Sequence, residues 1–306
     1  MKSILMRVLA ALLVVTFSAA ASAVDFDELR RKLESVTKGA SGDEQPAAPA
    51  GGAGAAPAEP KKKDKFDIGK VLGAVREIGV EEEVEIGRQI SGNLLGAAPL
   101  VPDEALQAYV NRVGRWVASR SGRSDLKWTF GVIDSADINA FAAPGGYVFI
   151  TKGLYARLQD EAQLAGVLAH EIAHVQEKHH LKVLQKQQLM DLGSEALSRK
   201  VKGEEVVQKL IGSGAEILAR GLDKGAEFEA DRVGVVLAAR AGYNPFGLPA
   251  VLQDIGANTQ DAGSVALLFK THPHPDERLA ALGEAMGTRL DDVKGRALPE
   301  RLVRLR

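Results

Sequence analysis

The 306-residue chain has no cysteine, which excludes disulfide frameworks, cysteine-ligated zinc, iron–sulfur clusters and thiol nucleophiles. Any catalysis therefore falls to imidazole, carboxylate, hydroxyl or amine groups. Neither sign of charge prevails: 39 Lys and Arg against 40 Asp and Glu leave a formal net charge of −1. No global field gathers polyanions, so a nucleic-acid partner is not expected. Beyond the N-terminus no stretch reaches the ~18 uninterrupted apolar residues of a membrane span, and no repeat with a period of ~20–50 residues marks a solenoid. What is present, 45% hydrophobic and 26% charged residues, is enough to bury a core.

Residues 1–23 read as a secretory signal. Lys2 and Arg7 lead, an apolar run follows from Val8 to Phe17, and Ala21-Ser22-Ala23 gives a small-x-small cleavage site. A mature chain starting at Val24 has no cysteine to carry a lipid, so the expectation is a periplasmic protein that is not a lipoprotein and has no integral span after cleavage. A short amphipathic helix at Phe26–Val36 leads into a segment that cannot pack: between Ala40 and Pro60, 16 of 21 residues are Ala, Gly or Pro. Lys61, Lys62, Lys63 and Lys65 extend this linker as a solvated tether. The expected organisation is signal at 1–23, helix and linker at 24–65, one folded domain at 66–286 and a tail at 287–306.

Within the domain, Glu77–Leu95 and Pro102–Ser121 carry helical apolar spacing, the second opened by Pro102-Asp103-Glu104 as acids near a helix start should be. Trp128–Ile133 and Tyr147–Thr151 are strand candidates, with Pro144-Gly145-Gly146 as the turn before the second. The remainder reads as nearly all helix.

All six histidines fall in two clusters: His170, His174, His179 and His180, then His272 and His274. The first contains His170-Glu171-Ile172-Ala173-His174, an H-E-x-x-H motif on an apolar helix beginning near Asp160. Residues four apart on a helix differ by about 40° in azimuth and about 6 Å along the axis. Both imidazoles therefore reach one zinc ion at ~2.0–2.1 Å, while Glu171 is placed to take a proton from the attacking water.

A zinc hydrolase needs a third protein ligand and an open fourth position. Position 177 is Glu, not the glycine that lets a metzincin chain turn, so the helix is expected to continue. His180 would then stand about 9 Å along the axis and about 240° round from His174, unable to share its metal. His179 and His180 are expected as partly exposed helix residues. Glu195, 21 residues beyond His174, has no second acid on its face. Glu227 and Asp231, four apart on a later helix, share a face: one can bind metal while the other accepts the second N–H of a ligating imidazole.

These residues resemble the gluzincin metallopeptidase family that includes HtpX, BepA and the CAAX prenyl protease. The likeness runs from about Glu77 to Leu282. It rests on Asn139-Ala140-Phe141-Ala142-Ala143-Pro144-Gly145-Gly146, Gly153-Leu154, Glu161 through His174, the E-x-x-A-D element Glu227-Phe228-Glu229-Ala230-Asp231, and Thr271-His272-Pro273 with Arg278. The resemblance implies one zinc ion per chain held by His170, His174 and Glu227, with Glu171 as catalytic base. Together with the predicted elements it implies an α+β fold, a mostly helical zincin-like (minigluzincin) domain with a small β-sheet beside the H-E-x-x-H helix. The absence of later apolar spans fits the soluble periplasmic branch. With about 20 residues after Met286, the expectation is a bare catalytic domain on an N-terminal tether.

The implied activity is zinc-dependent endoproteolysis of misfolded or misassembled envelope proteins, a substrate class that rests on family analogy. His272 and Arg278 are candidates to stabilise the oxyanion, and His272 is equally a candidate to occupy the open metal position and hold the enzyme latent. Substrate would add as a strand along the edge at Asn139, Ala140 and Phe141. The competing function is an assembly factor or chaperone that keeps the zinc site for shape and cleaves little.

Overall fold

Three consecutive acids, Glu81, Glu82 and Glu83, sit in the first turn of helix α1 (Val80–Ala97), where carboxylates face free backbone N–H groups, and Glu82 accepts from the Gly79 N–H. The computed structural model describes residues 78–186, 221–257 and 265–305. The signal segment, the helix and linker at 24–65, and Glu195 lie outside them. Helix α2 (Glu104–Ala118) is capped by Asp103, whose carboxylate accepts from the Leu106 N–H at 3.0 Å. Its buried stripe, Leu106, Tyr109, Val110, Val113 and Val117, lies against the sheet.

That sheet has three strands, β1 (Thr129–Ile133), β2 (Ala140–Ala143) and β3 (Tyr147–Thr151), in the order β1-β3-β2. β3 is central, parallel to β1 and antiparallel to β2. Residues 99–101 cover the outer side of β1 through Val101 N–H to Val132 O and Asp134 N–H to Pro99 O. Among the described residues no strand pairs with the outer edge of β2. The turn between β2 and β3 needs Gly145 at φ +77°, and a side chain there would come within 2.6 Å of the Val84 backbone. Glu83, fully buried, holds this turn by accepting from the Gly145 N–H, and forms an ion pair with Arg123, which also donates to Val175 O.

After the short α3 (Lys152–Arg157), helix α4 (Glu161–Gln176) is capped by Asp160, which accepts from the Gln163 N–H at 2.8 Å. It is buried on nearly every face, apolar enough all round to be the centre of the domain. The sheet and α2 pack on one side. On the other lie α5 (Lys224–Arg240), α6 (Gly247–Ala257), α7 (Ala266–Thr271) and α8 (Pro275–Met286). The result is the α+β, mostly helical arrangement with a small sheet beside the H-E-x-x-H helix. No helix among the described residues is long and apolar enough to cross a membrane.

One observation adds to the sequence reading and one differs from it. The C-terminal tail, whose packing the sequence left open, lies on the domain: Leu302 is buried, Glu161 and Ala162 donate backbone N–H groups to Leu298 and Ala297, and Tyr155 donates its hydroxyl to Val303 O at 2.6 Å. The H-E-x-x-H helix does not continue past Glu177, contrary to expectation. It ends at Gln176, Lys178 takes φ +56°, and helix resumes at residues 179–186 in a new direction. A left-handed non-glycine residue costs roughly 1–2 kcal/mol. Burial of Leu181 and Leu184 against Ile78, Ile86 and Ile90 offsets it.

Candidate metal centre

Three helices deliver the polar groups at the middle of the domain. α4 supplies His170, Glu171 and His174, α5 supplies Glu227 and Asp231 one turn apart, and the α7–α8 junction supplies His272, with Arg278 on the first turns of α8. α5 comes this close because Gly234 faces α4: a methyl group there would lie 2.9 Å from the His170 backbone nitrogen. One ligand atom each from His170, His174, Glu227 and His272 lies within 4.8 Å of the others. Glu195 is outside the described residues.

The distances test the fit to a metal. His170 Nε2 and His174 Nε2 are 3.0 Å apart, and they lie 3.6 and 3.5 Å from the Glu227 carboxylate. His272 Nε2 is 3.8 Å from Glu227 and 4.0 Å from Glu171. Ligands at ~2.0–2.2 Å around a tetrahedral ion stand roughly 3.3–3.6 Å from one another. Glu227 Oε2 is buried without a hydrogen-bond partner, an orphan acceptor that a cation would satisfy. The residues fit a small divalent ion with nitrogen and oxygen ligands, and zinc accepts such a set.

Behind these atoms stands a second layer. His170 Nδ1 donates to Asp231 Oδ1 at 2.9 Å, and Arg278 grips the same carboxylate with two bonds of 2.6 and 2.9 Å. This leaves His170 Nε2 facing the centre. Burial works against the Asp231 charge, yet Arg278 and His170 overcome it and hold the carboxyl well below its usual range. Burial and Arg278 likewise oppose a charge on His170, but Asp231 and Glu227 raise it to about 9. Glu171, unlike Asp231, is a carboxyl that moves up: burial, aided by Glu227 against the opposing His170, pushes it to about 7.

His174 has its own partner, which the sequence reading missed. Its Nδ1 is 3.0 Å from His179 Nδ1, and His179 Nε2 is 3.3 Å from Glu229. With His174 Nε2 turned to the centre, Nδ1–H donates to His179, whose Nε2–H donates to Glu229, so every proton has an acceptor. His179 is buried instead of partly exposed, whereas His180 is partly exposed as expected and lines a cavity with Glu171, His174 and Glu227. The correction for His179 follows from the left-handed turn at Lys178, which carries the two rings back over α4. The adjacent His-His pair was the only sequence signal, and extrapolating the helix hid it.

His272 is tied by a similar device. Thr271 Oγ1 lies 2.9 Å from His272 Nδ1 and 3.1 and 3.2 Å from the carbonyls of Leu267 and Leu268. The hydroxyl has one proton, and giving it to a carbonyl leaves its oxygen to accept from Nδ1–H, so Nε2 presents a lone pair to the cluster. Burial lowers the His272 imidazole to about 4, keeping it neutral at neutral pH.

Little space surrounds the reacting groups. One cavity of about 30 Å3 is bounded by Glu171, His272 and the apolar side chains of Val251, Leu252 and Ile255, and another of about 20 Å3 by Glu171, His180 and Phe141. Each is large enough for about one water molecule. Ala140 borders both. Asn139 is fully buried, its side-chain amide without a partner, and its backbone carbonyl accepts from the Thr151 N–H at 3.0 Å. Antiparallel alternation then turns the backbone groups of Ala140 and Ala142 outward along the free edge. Arg278 is committed to Asp231.

The model of the family described as Peptidase family M48 matches residues 104–286. The chain is 30% identical over 224 residues to the beta-barrel assembly-enhancing protease of Escherichia coli (strain K12), covering 70% of this chain and 45% of that protein. It is 30% identical over 178 residues to the mitochondrial metalloendopeptidase OMA1 of Schizosaccharomyces pombe, covering 58% of this chain and 52% of that one. Over 149 residues it is 35% identical to the mitochondrial metalloendopeptidase OMA1 of Bos taurus, covering 45% and 28%. The chain thus spans about half the length, or less, of these relatives.

Proposed function

The chain belongs to peptidase family M48, and on that premise we propose that it is a zinc-dependent endopeptidase acting on misfolded or misassembled cell-envelope proteins after export on its N-terminal signal. The observation that carries the reading is the convergence of buried His170, His174 and Glu227 with half-buried His272, the Glu171 carboxyl beside them. When bound, zinc supplies a Lewis acid that polarises a peptide carbonyl and makes water more acidic. His170, His174 and Glu227 would hold it, their orientations fixed by Asp231 and His179. Glu171, with its carboxyl raised to about 7, is matched to take a proton near neutrality and return it to the leaving amine.

The outward backbone groups of Ala140 and Ala142 offer an extended peptide a strand to pair with, bringing its carbonyl beside Glu171. Such pairing reads backbone and not sequence, which suits a substrate recognised by being unfolded. The E. coli relative is named for β-barrel assembly, which supports an envelope setting and the periplasm as the place of action. His272, with its Nε2 lone pair facing the cluster, is read as a fourth ligand that keeps the site closed until substrate displaces it.

Cleavage of an unfolded protein by the purified chain is the test. Glu171→Gln should abolish it while zinc content stays near one per chain, and a variant as active as wild type would remove Glu171 from the mechanism. The small size of the two cavities favours one second reading, an assembly factor that keeps the ion for shape and cleaves little. It predicts that Glu171→Gln supports envelope assembly as well as wild type does.

A further inference from the structure

The chain carries a net charge of −1, yet one groove of about 750 Å3 is lined by four arginines and no acid. Arg112 and Arg115 stand on α2, Arg296 and Arg301 on the C-terminal segment, and Trp116 and Leu298 contribute apolar surface. Its size falls in the ~300–1,000 Å3 range of ligand sites. None of its lining residues is shared with the two cavities at the metal centre.

The walls are held in place. Trp116 Nε1 donates to Ala241 O at 2.8 Å, and the Arg296 backbone donates to Gly242 O and accepts from the Asn244 N–H, both at 3.1 Å. Arg115 Nε donates to Trp128 O at 3.0 Å. Arg301 lies 3.1 Å from Glu161, which is fully buried and also accepts from the hydroxyls of Tyr109 and Tyr243. Trp116 is nevertheless 48% exposed, with Arg120 stacked 4.3 Å from its ring centroid. Among the described residues nothing pairs with the guanidinium of Arg112 or Arg296. Glu161 balances Arg301, but among the described residues the groove's other cations lack a carboxylate partner, and a bound anion relieves their mutual repulsion.

We propose that this groove docks a peptide segment in which carboxylates flank an apolar or aromatic side chain. Guanidinium forks match carboxylates in two-bond geometry, and Trp116 with Leu298 gives the intervening side chain a surface to stack on. The cations come from two separate segments, α2 and residues 296–301, and Arg301 is already engaged by Glu161, so a chain carrying several separated charges matches them better than a single compact anion. Docking here fixes an acidic segment of a partner away from the cleavage centre. The proposal does not depend on the peptidase reading, because binding is measurable without turnover.

Trp116 is the natural reporter, since the other tryptophan, Trp128, is 7% exposed. The purified protein is titrated with the peptide Glu-Asp-Phe-Glu-Asp, with Lys-Arg-Phe-Lys-Arg, and with vesicles of anionic phospholipid, following tryptophan emission. A saturable change is expected with the acidic peptide alone, lost in Trp116→Phe. It should weaken about tenfold or more in the Arg112→Glu, Arg296→Glu double variant and strengthen at low salt. Arg112→Gln, Arg296→Gln provides the milder version should charge reversal disturb folding, with thermal unfolding as the control. An equal response to the basic peptide, unchanged affinity in both double variants, or binding to vesicles but not to peptide would each overturn the proposal.

Discussion

Replacing His179 by alanine probes the least expected part of the centre. His179 accepts from His174 at 3.0 Å and passes the polarity on to Glu229 at 3.3 Å. Removing its ring leaves the His174 Nδ1–H buried and unsatisfied, which costs roughly 1–3 kcal/mol, and frees the imidazole to turn or change tautomer. Loss of such a partner typically lowers metal affinity ~10–100-fold, or about 1.4–2.8 kcal/mol, so two independent routes give the same size of effect. The assay is zinc affinity by chelator competition, with thermal unfolding of the metal-free protein to confirm folding. His179→Asn retains a carbonyl able to accept the proton and should recover most of the affinity. Glu229→Gln should matter less, because Glu229 is 45% exposed and water can replace it. A folded His179→Ala protein binding zinc as tightly as wild type, or Ala and Asn variants impaired equally, would refute the reasoning.

Gly234→Ala should lower zinc affinity about tenfold or more and reduce thermal stability, because the added methyl meets the His170 backbone at 2.9 and 3.0 Å and drives α5, with Glu227 and Asp231, away from α4; unchanged values in a zinc titration and a melting curve would count against it. His272→Ala should raise the cleavage rate on an unfolded substrate while three ligands still retain the metal, whereas a lowered rate would assign His272 to oxyanion stabilisation. The pH profile of kcat/KM should show an acid limb. Glu171 acts deprotonated, its carboxyl is raised to about 7 in the protein alone, and a bound cation draws it down, so activity falls about tenfold per pH unit below a midpoint at or under about 7. A midpoint above 8 would be incompatible with Glu171 as the base.

The two imidazoles of the H-E-x-x-H helix and the paired acids of α5 were legible because each pair is one helical turn apart. Helix pitch alone then fixes which side chains share a face. Strand β3 and the turn before it were legible because a run of aromatic and β-branched residues after Pro-Gly-Gly is also a local signal. His179 was not, because its position depends on Lys178 adopting a left-handed backbone, which is favoured only once Leu181 and Leu184 find Ile86 and Ile90 some 90 residues earlier.

The sequence by itself determined the chemistry available: no thiols, six histidines in two clusters, and acids at helical spacing. Tertiary structure alone decided which of them meet. The close approach at Gly234, the tautomers set by Asp231, His179 and Thr271, the docking of residues 287–305, and the arginines brought together from residues 112–115 and 296–301 all depend on contacts between distant segments. Periodicity reports what one element presents to its neighbours, but packing selects the neighbour, and hydrogen-bond direction follows only when both partners are in place.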